Sequence, residues 1–270
     1  MASAAAGGQD RSISIGRIFS RAFGALRSNP VATLGIAFLF AAVPSLLFLY
    51  AVSDLQAVWA ANAAVLGFGG VAGIWGFSVL IYLLLWVVSQ GALVRATVAY
   101  SEGGKASLGE SIAAGLRVVL PLFLLAVLTG LALVLGLALL IFPAVILYVM
   151  WSVSVPSLVE ERLGPIKAFG RSRSLTRGAR WTIFGLMLIL LVFYWLITSV
   201  VGLLSIMSHG GLDSMMAAAE AGLTPVDMAL NLVSSTLTAA LGGVIHSSLY
   251  VELRDWKDGP RTDALADIFG

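Results

Sequence analysis

Apolar residues form six long runs along this chain, separated by short segments that carry most of its charges. The runs cover residues 31–52, 71–99, 118–139, 143–158, 181–204 and 226–253. A helix needs about 20 residues to cross a hydrocarbon core about 30 Å thick. Each run reaches that length or nearly so, and the pattern therefore predicts six transmembrane helices. The fourth run is the shortest, and Pro156 near its end predicts a kink.

Composition agrees with a membrane location. Hydrophobic residues make up 59% of the 270 residues, charged residues only 11%, and the mean hydropathy is +0.99. Soluble domains have about 45–50% apolar and about 25% charged residues. We therefore predict an all-α integral membrane protein. Its predicted parts are a disordered N-terminal tail at 1–12, a single six-span domain at 13–259 and a cytoplasmic tail at 260–270.

Charge predicts the orientation of the spans. All sixteen Lys and Arg residues lie in the two tails, at the even-numbered connections or, for Arg95, near the inner end of the second run. The connections after the first, third and fifth runs contain no Lys or Arg. Their acidic residues and histidine, counting Asp227 at the start of the sixth run, are Asp54, Asp213, Glu220, Asp227 and His209. Because basic residues stay on the cytoplasmic side, both termini are predicted to be cytoplasmic. The resulting basic collar should attract anionic lipid headgroups.

The chain also has the pattern of a threefold internal repeat. Each unit would contain a short cytoplasmic amphipathic lead helix, an outgoing span, an external turn and a returning span. The predicted units are 13–104, 105–164 and 165–259, with lead helices at 14–27, 107–117 and 165–177. This predicts three helical hairpins in parallel orientation.

Local signals support the lead helices. Ser107 and Glu110 have the spacing of a capping box, and Pro165 occupies a favoured first helical position. In the first lead helix, Ile15, Ile18 and other apolar residues fall on one face. Such a face is typical of a helix that lies in the membrane interface.

Residues 156–178 read PSLVEERLGPIKAFGRSRSLTRG and precede an apolar run. This segment resembles the signature of a bacterial membrane family, labelled the membrane domain of glycerophosphoryl diester phosphodiesterase, with YciC-like relatives. The closing residues 249–254, LYVELR, through Gly259 are similar to the end of the same family. The resemblance implies a multispan protein of the bacterial cytoplasmic (inner) membrane. The label comes from members fused to a soluble phosphodiesterase domain, for which we expect no room here, so hydrolysis is not implied.

The sequence contains few residues that could form a catalytic site. The chain has no Cys and only two His, His209 and His246, which the predicted topology keeps apart. No H-E-x-x-H, Walker or G-x-S-x-G motif occurs. We therefore predict no enzymatic activity, no metal, no cofactor and no nucleic-acid partner. An enzyme that acts on membrane lipids is the open alternative, although it would lack a recognisable nucleophile and base.

The densest charge cluster contains Glu160, Arg171, Arg173, Arg177 and Arg180. One interpretation is a solvated loop with local ion pairs. The sharper interpretation is that Glu160 pairs with Arg171, as Glu252 would with Arg254, and fixes the lead helix against the bundle. Arg171, Arg173, Arg177 and Arg180 would then form a basic pocket for the phosphate of an anionic phospholipid. Arg95 of the second span either belongs to this pocket or extends its guanidinium group to the membrane interface.

The sixth run is the most polar. Small or polar residues recur at every fourth position and form one stripe: Asn231, Ser235, Ala239, Gly243 and Ser247. The stripe either packs closely against another helix or lines a polar cavity. His246 flanks it, either as a neutral imidazole bonded to a nearby hydroxyl or carbonyl group, or as a titrating or headgroup-binding group.

These patterns favour a non-enzymatic protein that binds, organises or moves anionic lipid through its basic collar. A partner protein at the cytoplasmic face is a second possible ligand. A small transporter or channel is an alternative, for which His246 and Arg95 are the ionisable candidates. A structural subunit of a membrane assembly is another.

Overall fold

The structure is a computed structural model that describes residues 13–214 and 223–259, without the side chains of residues 52–69 and 71. The predicted tails, 1–12 and 260–270, lie outside the described residues. Six helical segments within the described part are long and apolar enough to cross a membrane: Pro30–Ala51, Ala72–Ser101, Val119–Leu139, Ile141–Glu161, Arg180–Ser208 and Pro225–Lys257. They match the six predicted runs to within a few residues. The prediction of an all-helical, multi-pass membrane protein is confirmed.

The N-terminal part begins with α1 (Ile15–Ser28) and α2 (Pro30–Ala37), followed by a π-helical turn (Phe38–Ala42) and α3 (Val43–Ser101). The wide turn precedes Pro44, which has no N–H to donate to the preceding turn.

The two ends of α3 lie side by side. The ring of Phe48 stacks on that of Tyr82 with 5.2 Å between centroids. Along a straight helix, residues this far apart in sequence would be separated by about 50 Å. The helix must therefore double back between them.

The middle of the chain forms α4 (Leu108–Arg117), α5 (Val119–Leu139), α6 (Ile141–Met150) and α7 (Ser154–Glu161). The predicted capping box opens α4: Glu110 N–H donates to Ser107 Oγ at 3.2 Å, and Ser107 N–H donates to Glu110 Oε2 at 2.8 Å. These bonds lower the pKa of Glu110.

The fourth span is interrupted between α6 and α7, earlier than the kink predicted at Pro156. Pro156 lies in the first turn of α7, where its missing N–H costs nothing. The interruption is held by α8 (Pro165–Thr176). Ser172 Oγ donates to the Met150 carbonyl at 2.9 Å and accepts from Val153 N–H at 3.3 Å. Side chains of α8 therefore satisfy backbone groups that the break exposes.

Two long helices complete the described chain, α9 (Arg180–Ser208) and α10 (Pro225–Lys257). Pro165 is the first residue of α8, as predicted. The turn between α8 and α9 contains Gly178 at φ 94°, a conformation that favours glycine. A Cβ atom there would lie 3.2 Å from the ring of Trp256 in α10. The glycine therefore allows both the turn and its packing.

One face of the first lead helix packs on protein, and its place in the membrane interface stays a prediction. Ile18, Ala22 and Ala25 are each 1% exposed, and α1 lies against α10 and α3. The apolar face that suggested a lipid contact is thus part of the core. The periodicity of a helix gives the width of its apolar face but does not identify what covers it.

Candidate functional site

Charged side chains from five helices meet at one end of the bundle, which we call the basic end. The ion pairs found there among the described residues include Arg17 and Arg21 of α1, Glu102 after α3, Glu161 of α7, Arg171 of α8, and Glu252, Arg254, Asp255 and Asp258 at the end of α10. The last turns of α10 supply most of the carboxylates. This helix therefore ties the lead helices α1 and α8 to the bundle.

Glu252 is the most buried charged group of the basic end, at 6% exposed. Its Oε1 accepts from Arg17 Nε at 2.8 Å and lies 2.7 Å from Arg17 Nη2. Arg21 Nη2 lies 3.8 Å from Glu252 Oε2 and 3.5 Å from Asp255 Oδ2. A buried carboxylate requires such cationic partners, since burial without them is costly. Glu252 therefore fixes α1 on α10.

Arg171 makes a second connection, which is partly exposed. Its Nε donates to Glu161 Oε1 at 2.7 Å, and its Nη2 donates to Asp258 Oδ2. The hydroxyl of Tyr250, a fully buried residue of α10, donates to Glu161 Oε1 at 3.0 Å. The hydrogen bonds to Asp258 and Glu161 raise the pKa of Arg171 above its usual value. Arg171 therefore connects α7, α8 and the end of α10.

The predicted ion pairs connect different residues. Arg171 bonds Glu161, the neighbour of the predicted Glu160. The predicted pair of Glu252 and Arg254 is wrong, because Glu252 meets Arg17 and Arg21 while Arg254 Nη1 lies 3.9 Å from Glu102. Residues two apart on a helix point to different sides, so they do not pair.

Three further arginines of the cluster are exposed. Arg173, Arg177 and Arg180 lie at the end of α8, in the turn and at the start of α9. Among the described residues, none of the three is within ion-pair distance of a carboxylate. Arg95 in α3 is half-buried and likewise outside the described ion pairs. The predicted phosphate pocket is therefore divided, with Arg171 bonded and the other cations available.

A cavity of about 730 Å³ opens between α1, α5, α6, α9 and α10, and we call it the cleft. Its lining is almost entirely apolar and aromatic: Phe19, Phe23, Leu133, Leu137, Ala144, Val145, Tyr148, Val149, Phe184, Met187, Leu188, Leu190, Leu191, Phe193, Tyr194, Ile197, Thr238, Leu241, Gly242, Ile245 and His246. Among the residues that the structure describes, the lining contains no Lys, Arg, Asp or Glu. The sequence does not predict the cleft, because it depends on how far apart the helices pack.

One end of the cleft lies beside the exposed arginines. Phe184 lines the cleft one helical turn after Arg180. Thr176, the residue before Arg177, donates to the Met150 carbonyl at 3.3 Å, and Val149 next to it also lines the cleft. Along α9 the lining runs from Phe184 to Ile197, about 20 Å at 1.5 Å per residue.

His246 lines the cleft and has a defined tautomer. Its Nδ1 lies 2.7 Å from the Gly242 carbonyl oxygen, which can only accept, so Nδ1 carries the hydrogen. The ring is part-buried in α10. This geometry favours the interpretation of an imidazole that is bonded to a carbonyl group of its own helix.

The small-residue stripe of α10 faces the N-terminal helices. Ser235 Oγ lies 3.4 Å from Ser45 Oγ, and a Cβ atom at Gly243 would lie 2.6 Å from Leu93 Cδ1. Ser247 Oγ donates to the Gly243 carbonyl at 2.7 Å. Asn231 Oδ1 is buried without a hydrogen-bond partner among the described residues. These contacts favour close packing over a polar cavity for this face.

The opposite end of the bundle brings together His209, Asp227 and Ser205. His209 Nε2 lies 3.4 Å from Asp227 Oδ2, and Ser205 Oγ donates to Asp227 Oδ1 at 2.7 Å. His209 Nδ1 lies 2.8 Å from the Ser205 carbonyl and must donate to it. That nitrogen cannot act as a base for the nearby Ser208 hydroxyl. The group caps helix ends and does not form a nucleophile–base pair.

No group of three His, Cys, Asp or Glu side chains suited to a metal ion occurs among the described residues. The family model described as the membrane domain of glycerophosphoryl diester phosphodiesterase matches residues 116–265. Searches of the curated proteins and of the solved structures each give no match. The matched region includes the exposed arginines, Glu161, Glu252 and the α9 and α10 walls of the cleft.

Proposed function

This chain belongs to the family of glycerophosphoryl diester phosphodiesterase membrane domains, and on that premise we propose that it binds anionic phospholipid without hydrolysing it. The phosphate would interact with Arg173, Arg177 and Arg180 at the basic end. Binding would serve to hold, organise or move the lipid. The exposed state of these three arginines beside an apolar cleft is the observation that carries the proposal.

The electrostatics support a phosphate ligand. Guanidinium groups donate in a planar fork that matches phosphate oxygens. Cations at a membrane surface are attracted to anionic headgroups by about 1 kcal/mol each. Arg171 differs from these three because it is held by Glu161 and Asp258. Its role in the proposal is to position α8, which carries Arg173.

We further propose that the basic end is cytoplasmic in a bacterial inner membrane, with both termini on that side. The segregation of all sixteen basic residues supports this orientation. The three lead helices α1, α4 and α8, each followed by a span, support a threefold arrangement of parallel hairpins. The three arginines of the proposed lipid site would belong to the third unit.

Native mass spectrometry of the full chain in mild detergent tests the lipid proposal. We expect phosphatidylglycerol to remain bound to the natural protein and to be lost when Arg173, Arg177 and Arg180 are all changed to Gln. A matched control changes three other exposed cations, Lys105, Arg117 and Arg162, to Gln and removes the same charge.

Retention in the control and loss in the first variant would support a local phosphate site. Equal loss in both variants would contradict it, because overall charge and not the position of the arginines would then govern binding. Equal retention would also contradict it, because the three arginines would then not be needed. A protein that co-purifies in place of lipid would favour the assembly-subunit alternative.

The proposed orientation has its own test, since the chain contains no cysteine. Single cysteines at Lys105 and at Asp213 place one thiol at each end of the bundle. In right-side-out cells, a membrane-impermeant maleimide should label Asp213→Cys and spare Lys105→Cys until the membrane is opened. The reverse pattern would overturn the orientation.

A further inference from the structure

We propose that the cleft holds an acyl chain of a phospholipid whose phosphate lies against Arg177 and Arg180. The inference rests on the proposed function and deepens it, because it adds a site for the chain to the site for the headgroup. The ligand would be an intact membrane phospholipid, and neither free phosphate nor a soluble phosphodiester would fill the site.

The first step is the shape of the cleft. It has a volume of about 730 Å³ and follows α9 for about 20 Å, from Phe184 to Ile197. Half the thickness of a bilayer hydrocarbon core is about 15 Å. A chain from one leaflet would therefore fit along the cleft without extending beyond it.

The second step is its chemistry. Aromatic and aliphatic side chains such as Phe19, Met187 and Ile245 line the cleft, and within the described part of the chain no carboxylate, ammonium or guanidinium group does. A polar solute would lose its hydration there and gain few hydrogen bonds in return. An acyl chain loses nothing, since it makes in the cleft the same dispersion contacts that it makes with other chains.

The third step is that exposed arginines lie beside one end of the cleft. Arg180 precedes the cleft residue Phe184 by one helical turn, and Arg177 follows Thr176, which bonds the carbonyl group beside Val149. An anionic group joined to a long apolar chain matches a basic rim that is continuous with an apolar channel. A diester of phosphate with acylated glycerol has both parts.

Gly242 allows the cleft to be filled without disturbing the protein. It lines the cleft, and a Cβ atom built there meets no atom within 4 Å. A leucine at this position would therefore occupy space that the chain needs. Gly202 in α9 is a matched control, because its Cβ would also meet nothing within 4 Å and it does not belong to the lining. Both changes replace a helical glycine and favour the helix.

The test compares two phosphatidylglycerols that share a headgroup, one with two palmitoyl and one with two hexanoyl chains. Binding to the purified full chain is measured by native mass spectrometry as lipid is titrated. For the natural protein and for Gly202→Leu, we expect the long-chain lipid to bind with at least about fivefold higher affinity. In Gly242→Leu this preference should fall to about one, while hexanoyl lipid binds as before.

A second filling variant, Thr238→Phe, keeps the test valid if Gly242→Leu folds poorly, which its elution and melting temperature would reveal. An unchanged chain-length preference in both filling variants would overturn the inference. If the filling variants keep the chain-length preference but the protein with Arg173, Arg177 and Arg180 changed to Gln binds no lipid, the chain site would be refuted and the proposed phosphate-binding function would still be supported. The converse, in which palmitoyl phosphatidylcholine binds as well as phosphatidylglycerol and filling abolishes both, would support the chain site and refute the proposed selection of anionic phospholipid.

Discussion

Two neighbouring helices, α9 and the second half of α10, differ sharply in what surrounds them. The most apolar 18-residue window of α9 has a mean hydropathy of 2.5, yet only 6% of it is buried inside the protein. The corresponding window of α10 is less apolar, at 1.6, and 22% of it is buried, while the residues from Gly243 to Leu253 are almost all buried. The less hydrophobic helix thus contributes more of its length to the core, and the more hydrophobic one faces outward.

This contrast follows from the solvent. In water, apolar residues go inside because the exterior is polar. In a bilayer the exterior is as apolar as leucine, and close packing and polar contacts hold helices together. The tail of α10 has these contacts, including the Tyr250 hydroxyl on Glu161 and the Glu252 carboxylate between two arginines. The contrast leaves α9 free to form one wall of a cleft.

The largest expected loss of stability comes from truncating a buried side chain of α10. Leu249 in α10 is 0% exposed, and Leu249→Ala should lower the free energy of unfolding by about 3 kcal/mol, because the cavity left behind cannot collapse fully. Unfolding in detergent, followed by circular dichroism, measures the loss. Leu196→Ala in α9, where the side chain is 57% exposed, should change stability by less than about 0.5 kcal/mol. Equal losses would break the comparison.

The next effect tests the connection between α1 and α10. Glu252→Gln removes the carboxylate that faces Arg17 and Arg21 and should cost about 2 kcal/mol, less than a fully buried pair because Arg17 is partly exposed. The melting temperature in detergent should fall. Glu110→Gln serves as the control, because glutamine keeps the capping box and stability should fall less than in the Glu252 variant. A variant of Glu252 as stable as the control would contradict this role.

A smaller effect distinguishes two arginines of one helix. Arg171→Gln should cost about 1 kcal/mol, since the group is partly exposed but bonds Glu161 and Asp258. Arg173→Gln should leave the melting temperature unchanged and weaken phosphatidylglycerol binding. Chemical denaturation and lipid titration of both variants give the two readouts. An exchange of these two phenotypes would show that the structural and ligand roles have been assigned to the wrong residues.

The smallest effect lies at the opposite end of the bundle. His209→Ala removes the contact with Asp227 and should cost about 0.5 kcal/mol, the value typical of a partly exposed pair. Lipid binding should not change. Hydrogen exchange at the start of α10 provides the measurement, and a loss of phosphatidylglycerol binding in this variant would contradict a site confined to the basic end.

The spans could be predicted from the sequence because the bilayer sets their length. Hydropathy alone was sufficient to predict the six spans, and a four-residue pattern was sufficient to predict the capping box at Ser107. Both signals are local. The family match over residues 116–265 likewise agrees with the resemblance in the signature segment.

The partners of the charges could not be predicted, since they depend on helix phase and on distant contacts. Glu160 and Glu161 are adjacent in sequence but lie about 100° apart around the helix, and Arg171 meets the second. Arg17 meets Glu252 across 235 residues. Tyr250 and Glu161 could have been noticed as polar groups at the ends of two returning spans, but their bond depends on the packing of α7 against α10.

The most direct test of the central claim uses a natural reporter beside the proposed phosphate site. Trp181 follows Arg180 and is 86% exposed. A single-tryptophan protein keeps it and replaces the other six tryptophans with Phe: Trp59, Trp75, Trp86, Trp151, Trp195 and Trp256. The protein is reconstituted in vesicles that contain a low fraction of lipid with brominated chains, which quench nearby tryptophan fluorescence.

Brominated phosphatidylglycerol should quench Trp181 more strongly than brominated phosphatidylcholine at the same low fraction. That difference should vanish when Arg173, Arg177 and Arg180 are changed to Gln. Equal quenching of Trp181 by the two lipids in the protein that keeps Arg173, Arg177 and Arg180 would contradict the account, because the exposed arginines would then not select anionic lipid.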